Sequence, residues 1–174
     1  MDVFLEVIKY ILPSLIVFFT SIFLVRWFLK SDLERKRQEF LLGKFKESLP
    51  TRLAAYERLT LFLERINAES IVIREQSPTL NCKQFQANLL STIRTEFEHN
   101  IAMQVYLPSA TWDLVKKAKE EMVRLVNISA GYVKPEDPAI ALGKTLLEQY
   151  QNETAYHFRK ALEALKNDVQ TLYI

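Results

Sequence analysis

Apolar residues fall along this chain in two regimes. From Val3 to Leu29 they run almost unbroken, with only Glu6, Lys9 and Arg26 charged, whereas from Leu33 onward they return every three or four positions among charged residues. The second pattern is that of amphipathic helices, and the first is that of a helix with no polar side.

The opening stretch predicts a transmembrane helix. Tyr10 to Val25 holds 16 residues without a charge. At 1.5 Å per residue about 20 residues cross a hydrocarbon layer of roughly 30 Å, so the span fits when Lys9 and Arg26 reach to opposite interfaces. Tyr10 and Trp27 then sit at the interfaces, and Pro13 lies in the first turns, where a missing N–H costs least. A cleaved signal peptide needs a basic start and a small-residue end, whereas this chain starts with Asp2 and Glu6 and leaves the apolar block through VRWFLK. A buried core helix is the alternative, but in a domain this small such a helix keeps one side in water, and IVFFTSIFLV has no polar face. Arg26, Lys30, Arg35, Lys36 and Arg37 follow the span and only Lys9 precedes it, which places the N-terminus outside and the remainder in the cytoplasm.

The expected architecture is all-α: an anchor over 1–30, a juxtamembrane helical stalk over 31–49 carrying Leu33, Phe40, Leu41 and Phe45, and a cytoplasmic bundle of about four helices over 50–174. Pro50 predicts a break. Leu53, Tyr56, Leu59, Phe62, Leu63 and Ile66 then mark the first bundle helix, and SIVIRE with the Ser77-Pro78 turn reads as a loop of partly extended character over 68–80. Asn81 and Gln84 form a capping-box pattern ahead of Phe85, Leu89, Ile93, Phe97 and Ile101, a helix expected to run to about Val105. Pro108 and Ser109 open the next, with Trp112, Val115, Met122, Leu125 and Ser129 inward, Lys116, Lys117, Glu120, Glu121 and Arg124 outward, and Gly131 closing it. Asp137-Pro138 starts a last helix of about 35 residues, roughly 50 Å long. It outruns its neighbours, and its final VQTLYI leaves apolar residues at the terminus, which meet either a partner, the preferred reading, or the bundle's own first helix.

Composition narrows the function. Three glycines in 174 residues leave little for phosphate-cradling loops, and the single Cys82 excludes an internal disulfide. The net charge is +2, and residues 49–174 hold 15 basic and 15 acidic side chains, so nothing points to nucleic acid. The positive excess belongs to the N-terminal segment. There Arg35, Lys36 and Arg37 give a weak lipid-headgroup signal, diluted by Asp32, Glu34 and Glu39.

The densest polar cluster is RTEFEHN, residues 94–100. Helical spacing sets Glu96 and Asn100 at the edge of an apolar stripe, where buried polar groups need partners. Arg52, Tyr56, Glu57 and Arg58 on the preceding helix supply them, and with Arg94 these residues predict a structural polar network. The alternative is a metal or small ligand. Glu96 and His99 have the i, i+3 spacing of di-iron bundles, with Glu57 or Glu64 as further ligands, but the other histidine, His157, has its glutamate, Glu153, four residues before it. Phosphate-binding, nucleophile-elbow and zinc-protease motifs are absent, and Cys82 beside Lys83 reads as an ordinary small residue. The sequons at Asn127 and Asn152 fall inside expected helices.

With TRLAAYERLTLFLERI, STIRTEFEHNIAMQVYL and TWDLVKKAKEEMVRLVN on the page, the chain resembles an uncharacterised family of small, single-span, membrane-anchored helical proteins of Bacteroidota type. Tyr56, Glu57, Arg58, Arg94, Glu96, Glu98, His99, Asn100 and Trp112 lie in the segments that carry the likeness. It implies a bacterial inner-membrane protein and no mechanism. The expected job is that of a non-enzymatic scaffold or accessory subunit without a cofactor. Its expected partners are the lipid bilayer and other membrane proteins, and the sequence sets no oligomeric state.

Overall fold

The computed structural model describes residues 2–150 and 153–172, and their side chains apart from those of 2–14, 41, 42 and 44–46. Among the described residues the regular elements are helices: α1 (Asp2–Ile66), α2 (Ala68–Glu75), α3 (Cys82–Asn100), a 3-10 helix (Ile101–Tyr106), α4 (Ser109–Ala130), α5 (Ala139–Tyr150) and α6 (Glu153–Thr171). The chain divides into two compact units, Met1–Leu49 and Pro50–Ile174. Pro50 itself lies within α1, where the sequence predicts a break. A proline removes one helical hydrogen bond and crowds the turn before it, which is a local cost and not an obligatory end.

In the first unit, the large apolar side chains from Leu15 to Leu29 are exposed. Thr20 donates its hydroxyl to the carbonyls of Ile16 and Val17 at 2.9 and 3.0 Å, so its polar group is met by its own helix. Lys36 pairs with Asp32 at 2.9 Å one turn back. Among the described residues no helix is long and apolar enough to cross a membrane. The first part of the expected span, with Lys9, Tyr10 and Pro13, lies outside the described side chains.

The second unit holds the core. Tyr56, Leu59, Phe62, Leu63 and Ile66 of α1 are buried at helical spacing, as the stripe predicts. Residues 68–75 form a helix where a loop is expected. Asn67 caps it, its side-chain oxygen accepting from the Ser70 N–H at 3.0 Å, and Ala68, Ile71 and Val72 turn into the core. Burial of this face overrides the extended preference of the β-branched run. Asn81 and Gln84 complete the expected capping box on α3, which buries Phe85, Leu89 and Ile93 and passes into the 3-10 turn after Asn100. On α4, Trp112, Val115, Met122, Leu125 and Ser129 face inward, and so does Glu121, which the charge pattern places in solvent.

The long last helix is two helices with different partners. α5 packs on α2, α3 and α4, whereas α6 lies chiefly along α4. Arg124 meets Glu153 and Thr111 meets Asp168, so α6 runs antiparallel to α4. Division lets Leu142 and Leu146 reach the same core as Phe158, Ala161 and Leu165, which one straight helix could not. Val169 and Leu172 pack partly buried against that core; Tyr173 and Ile174 lie outside the described residues.

Candidate functional site

Three groups of polar side chains stand out among the described residues of the bundle. The first lies between α1, α2 and α3. Ile66 and Phe62 turn inward and leave Arg58, Leu61 and Arg65 along the neighbouring edge of α1, two turns from end to end. Arg65 Nη2 lies 2.9 Å from Glu96 Oε1, and Arg74 Nη2 lies 4.0 Å from the same oxygen. Glu75 braces Arg74 at 3.0 Å. Arg58 donates to the backbone carbonyl of His99 at 3.4 Å. Glu96 is therefore a largely covered carboxylate facing two guanidiniums, with a third one nearby.

Two adjoining clefts flank the Arg65–Glu96 pair. One, of about 220 Å3, is bordered by Arg58, Leu61, Phe62 and Asn100. The other, of about 290 Å3, is bordered by the hydroxyls of Ser91, Thr92 and Thr95. Both share Arg65, Glu96 and His99. Phe62, which borders the first cleft, meets Phe97 at 5.9 Å between ring centroids, and Phe97 stacks on Trp112 at 5.6 Å.

The second place is built on Tyr56, Arg52 and Asp168. Thr111 Oγ1 donates to Asp168 Oδ2 at 2.6 Å, tying the start of α4 to the end of α6. Burial pushes the Tyr56 phenol above its ordinary range, the charge of Asp168 adding to that while Arg52 opposes it. The third place surrounds Glu121, which Lys117 holds at 2.9 Å and Arg124 at 2.6 Å. Arg124 reaches on to Glu153 at 2.7 Å. The hydrogen bond from Lys117, helped by Arg124, holds the Glu121 carboxyl below the usual range against the opposing effect of burial.

The predicted network is thus distributed. Arg52 and Tyr56 stand with Asp168, and Arg58 and Glu96 stand at the α1–α3 clefts. Asn100 donates its amide to the Glu96 carbonyl of its own helix at 2.8 Å, and Glu57 is exposed. Arg94 and Glu98 border another cleft, between α3 and α4, where Lys119 lies 4.6 Å from the centre of the Phe97 ring. Arg65 and Arg74, the actual partners of Glu96, stand outside the predicted set. The spacing of seven between Arg58 and Arg65 carries the first; the second is hidden because Arg74 belongs to the unexpected α2.

For a metal the fit is poor. Glu96 and His99 border the same clefts, but the carboxylate faces guanidiniums, and among the described residues no three of His, Cys, Asp and Glu gather where they hold an ion. His157 is half-buried and meets the Tyr156 ring edge-on at 5.5 Å. Cys82 is buried and donates its thiol to the Pro138 carbonyl at 3.3 Å.

A family model described as a family of unknown function, DUF7935, matches residues 2–172. The chain belongs to this family. The match runs through α1 and the bundle alike. No curated protein and no solved structure matches the chain.

Proposed function

We propose that this DUF7935 protein is a single-pass bacterial inner-membrane protein, N-terminus outside, whose cytoplasmic bundle works without catalysis as a scaffold or accessory subunit of a membrane complex. One observation carries the reading. Twelve large apolar side chains between Leu15 and Leu29 are 36–70% exposed, and they point in every direction around α1. A partner helix covers one stripe, whereas acyl chains cover the whole circumference. Thr20 satisfies its hydroxyl within the helix, as a residue in hydrocarbon must. The described stretch alone is too short to span, and the proposed span adds the uncharged residues from Tyr10 onward. Arg26, Trp27, Lys30, Arg35, Lys36 and Arg37 then lie on the cytoplasmic side, with Lys9 and Tyr10 at the other interface.

The bundle adds a well-filled core, an even charge balance and, among the described residues, no gathered metal-ligand set, which suit contact with other proteins more than turnover of a substrate. Tethering raises the effective concentration of the bundle beside a membrane partner. The test is mild-detergent extraction from the native membrane followed by mass spectrometry of co-purifying proteins. The account expects one or a few membrane proteins in fixed ratio. A chain that emerges alone, at every detergent mild enough to keep known complexes intact, contradicts the accessory-subunit role.

A further inference from the structure

The geometry points to the paired clefts beside Arg65 and Glu96 as the docking site for an acidic segment of a partner protein, with Arg58 and Arg65 reading its carboxylates. This inference rests on the scaffold reading and names the chemistry of the partner. Three elements bring a guanidinium or a carboxylate to one spot: Arg58 and Arg65 from α1, Arg74 from α2 and Glu96 from α3. Guanidinium groups present a planar fork that matches carboxylates, and arginine is enriched among the residues that dominate protein interfaces.

Charge complementarity selects the occupant. Arg58 is exposed and borders the cleft, and among the described residues its one hydrogen bond is the 3.4 Å contact to the His99 carbonyl, which leaves most of its five donors unpaired. Arg65 is also more than half exposed while holding Glu96. Glu96 already shows what the site binds, a carboxylate held by Arg65 at 2.9 Å and approached by Arg74. An incoming carboxylate joins Arg58 and competes with Glu96 for Arg65. The shape agrees with a chain and not with a compact metabolite: two shallow clefts lie side by side, and Leu61, which borders one of them, is 60% exposed and offers apolar contact between charges. In a bundle whose charges otherwise balance, such a site gives specificity through complementarity.

A purely structural ion pair and a docking site differ in one prediction. If Glu96 only glues α3 to α1, removing its charge leaves ligand binding unchanged or weakens it; if Glu96 competes with the partner, removing its charge strengthens binding. The probe is a dye-labelled peptide alternating glutamate and alanine, with the glutamine-for-glutamate peptide as its control. Fluorescence anisotropy is read at low salt on the full chain in neutral detergent. The glutamate peptide is expected to bind and the glutamine peptide not to. Arg58→Ala weakens binding by about tenfold, and Glu96→Gln tightens it severalfold. Lys166→Ala leaves it unchanged. Thermal melting checks that each variant is folded, and the exposed Arg58 variant decides the matter even if Glu96→Gln is not. Equal binding by Arg58→Ala and the parent overturns the proposal, as does weaker or unchanged binding by a folded Glu96→Gln. Full displacement of the peptide by inorganic phosphate at matching concentration also overturns it and assigns the clefts to phosphate. The peptide is read in detergent, so its binding can fail while the membrane complex stands, and the complex can fail while the peptide binds.

Discussion

Ser129 is fully buried on α4, and its hydroxyl has no hydrogen-bond partner among the described residues. An unpaired buried hydroxyl costs stability that an alanine at the same place avoids. Ser129→Ala is expected to raise the unfolding free energy by about 1 kcal/mol, read by denaturant titration. A loss of similar size contradicts the placement of that hydroxyl. Glu121 makes the opposite case, since it is buried but held by Lys117 and Arg124. Its folded carboxyl titrates below the ordinary value of 4.5, so its contribution is present above that value and is lost as the pH falls toward the folded one. Glu121→Gln should therefore flatten the fall in melting temperature between about pH 6 and about pH 3. An acid profile unchanged by the substitution contradicts the assignment.

At the scale of elements, α5 comes close to α2 at Gly143. A Cβ placed on Gly143 would lie 3.2 Å from Val72 Cγ1 and 3.2 Å from Gln76 Oε1. Gly143→Leu is expected to overpack this contact and cost about 1–3 kcal/mol, measured by the denaturation midpoint. A cost near zero would mean that α5 does not sit so close. Periodicity and caps made most helices legible, because the Phe85–Leu89–Ile93 stripe and the Asn81–Gln84 box are local signals. The α2 helix was not, because Ile71, Val72 and Ile73 are β-branched and their helix depends on burial against elements far away in sequence. Its Asn67 cap was the one local sign. The division of the last helix was equally hidden, since the apolar stripe continues across it while the two halves pack on different neighbours. The site suffered from the first of these. Glu96 was correctly placed at the edge of the core, but Arg74 entered with α2, and Arg65 looked like any solvated charge until α3 lay beside it.

For the whole molecule, a well-filled bundle and an exposed apolar helix segment belong to one chain and one family. The bundle buries its own stripes, including Val169 and Leu172 near the end of α6, so its remaining business is at the surface. The large apolar side chains from Leu15 to Leu29 are exposed, and in the proposed placement a bilayer covers every side of them. The most direct measurement is alkaline carbonate extraction of native membranes carrying the full chain, paired with protease digestion of inside-out vesicles. The account predicts that the chain stays with the pelleted membrane and that protease removes the bundle while sparing a short N-terminal fragment. Release of the intact chain into the alkaline supernatant would contradict the anchor, and a bundle protected in inside-out vesicles would contradict its cytoplasmic orientation.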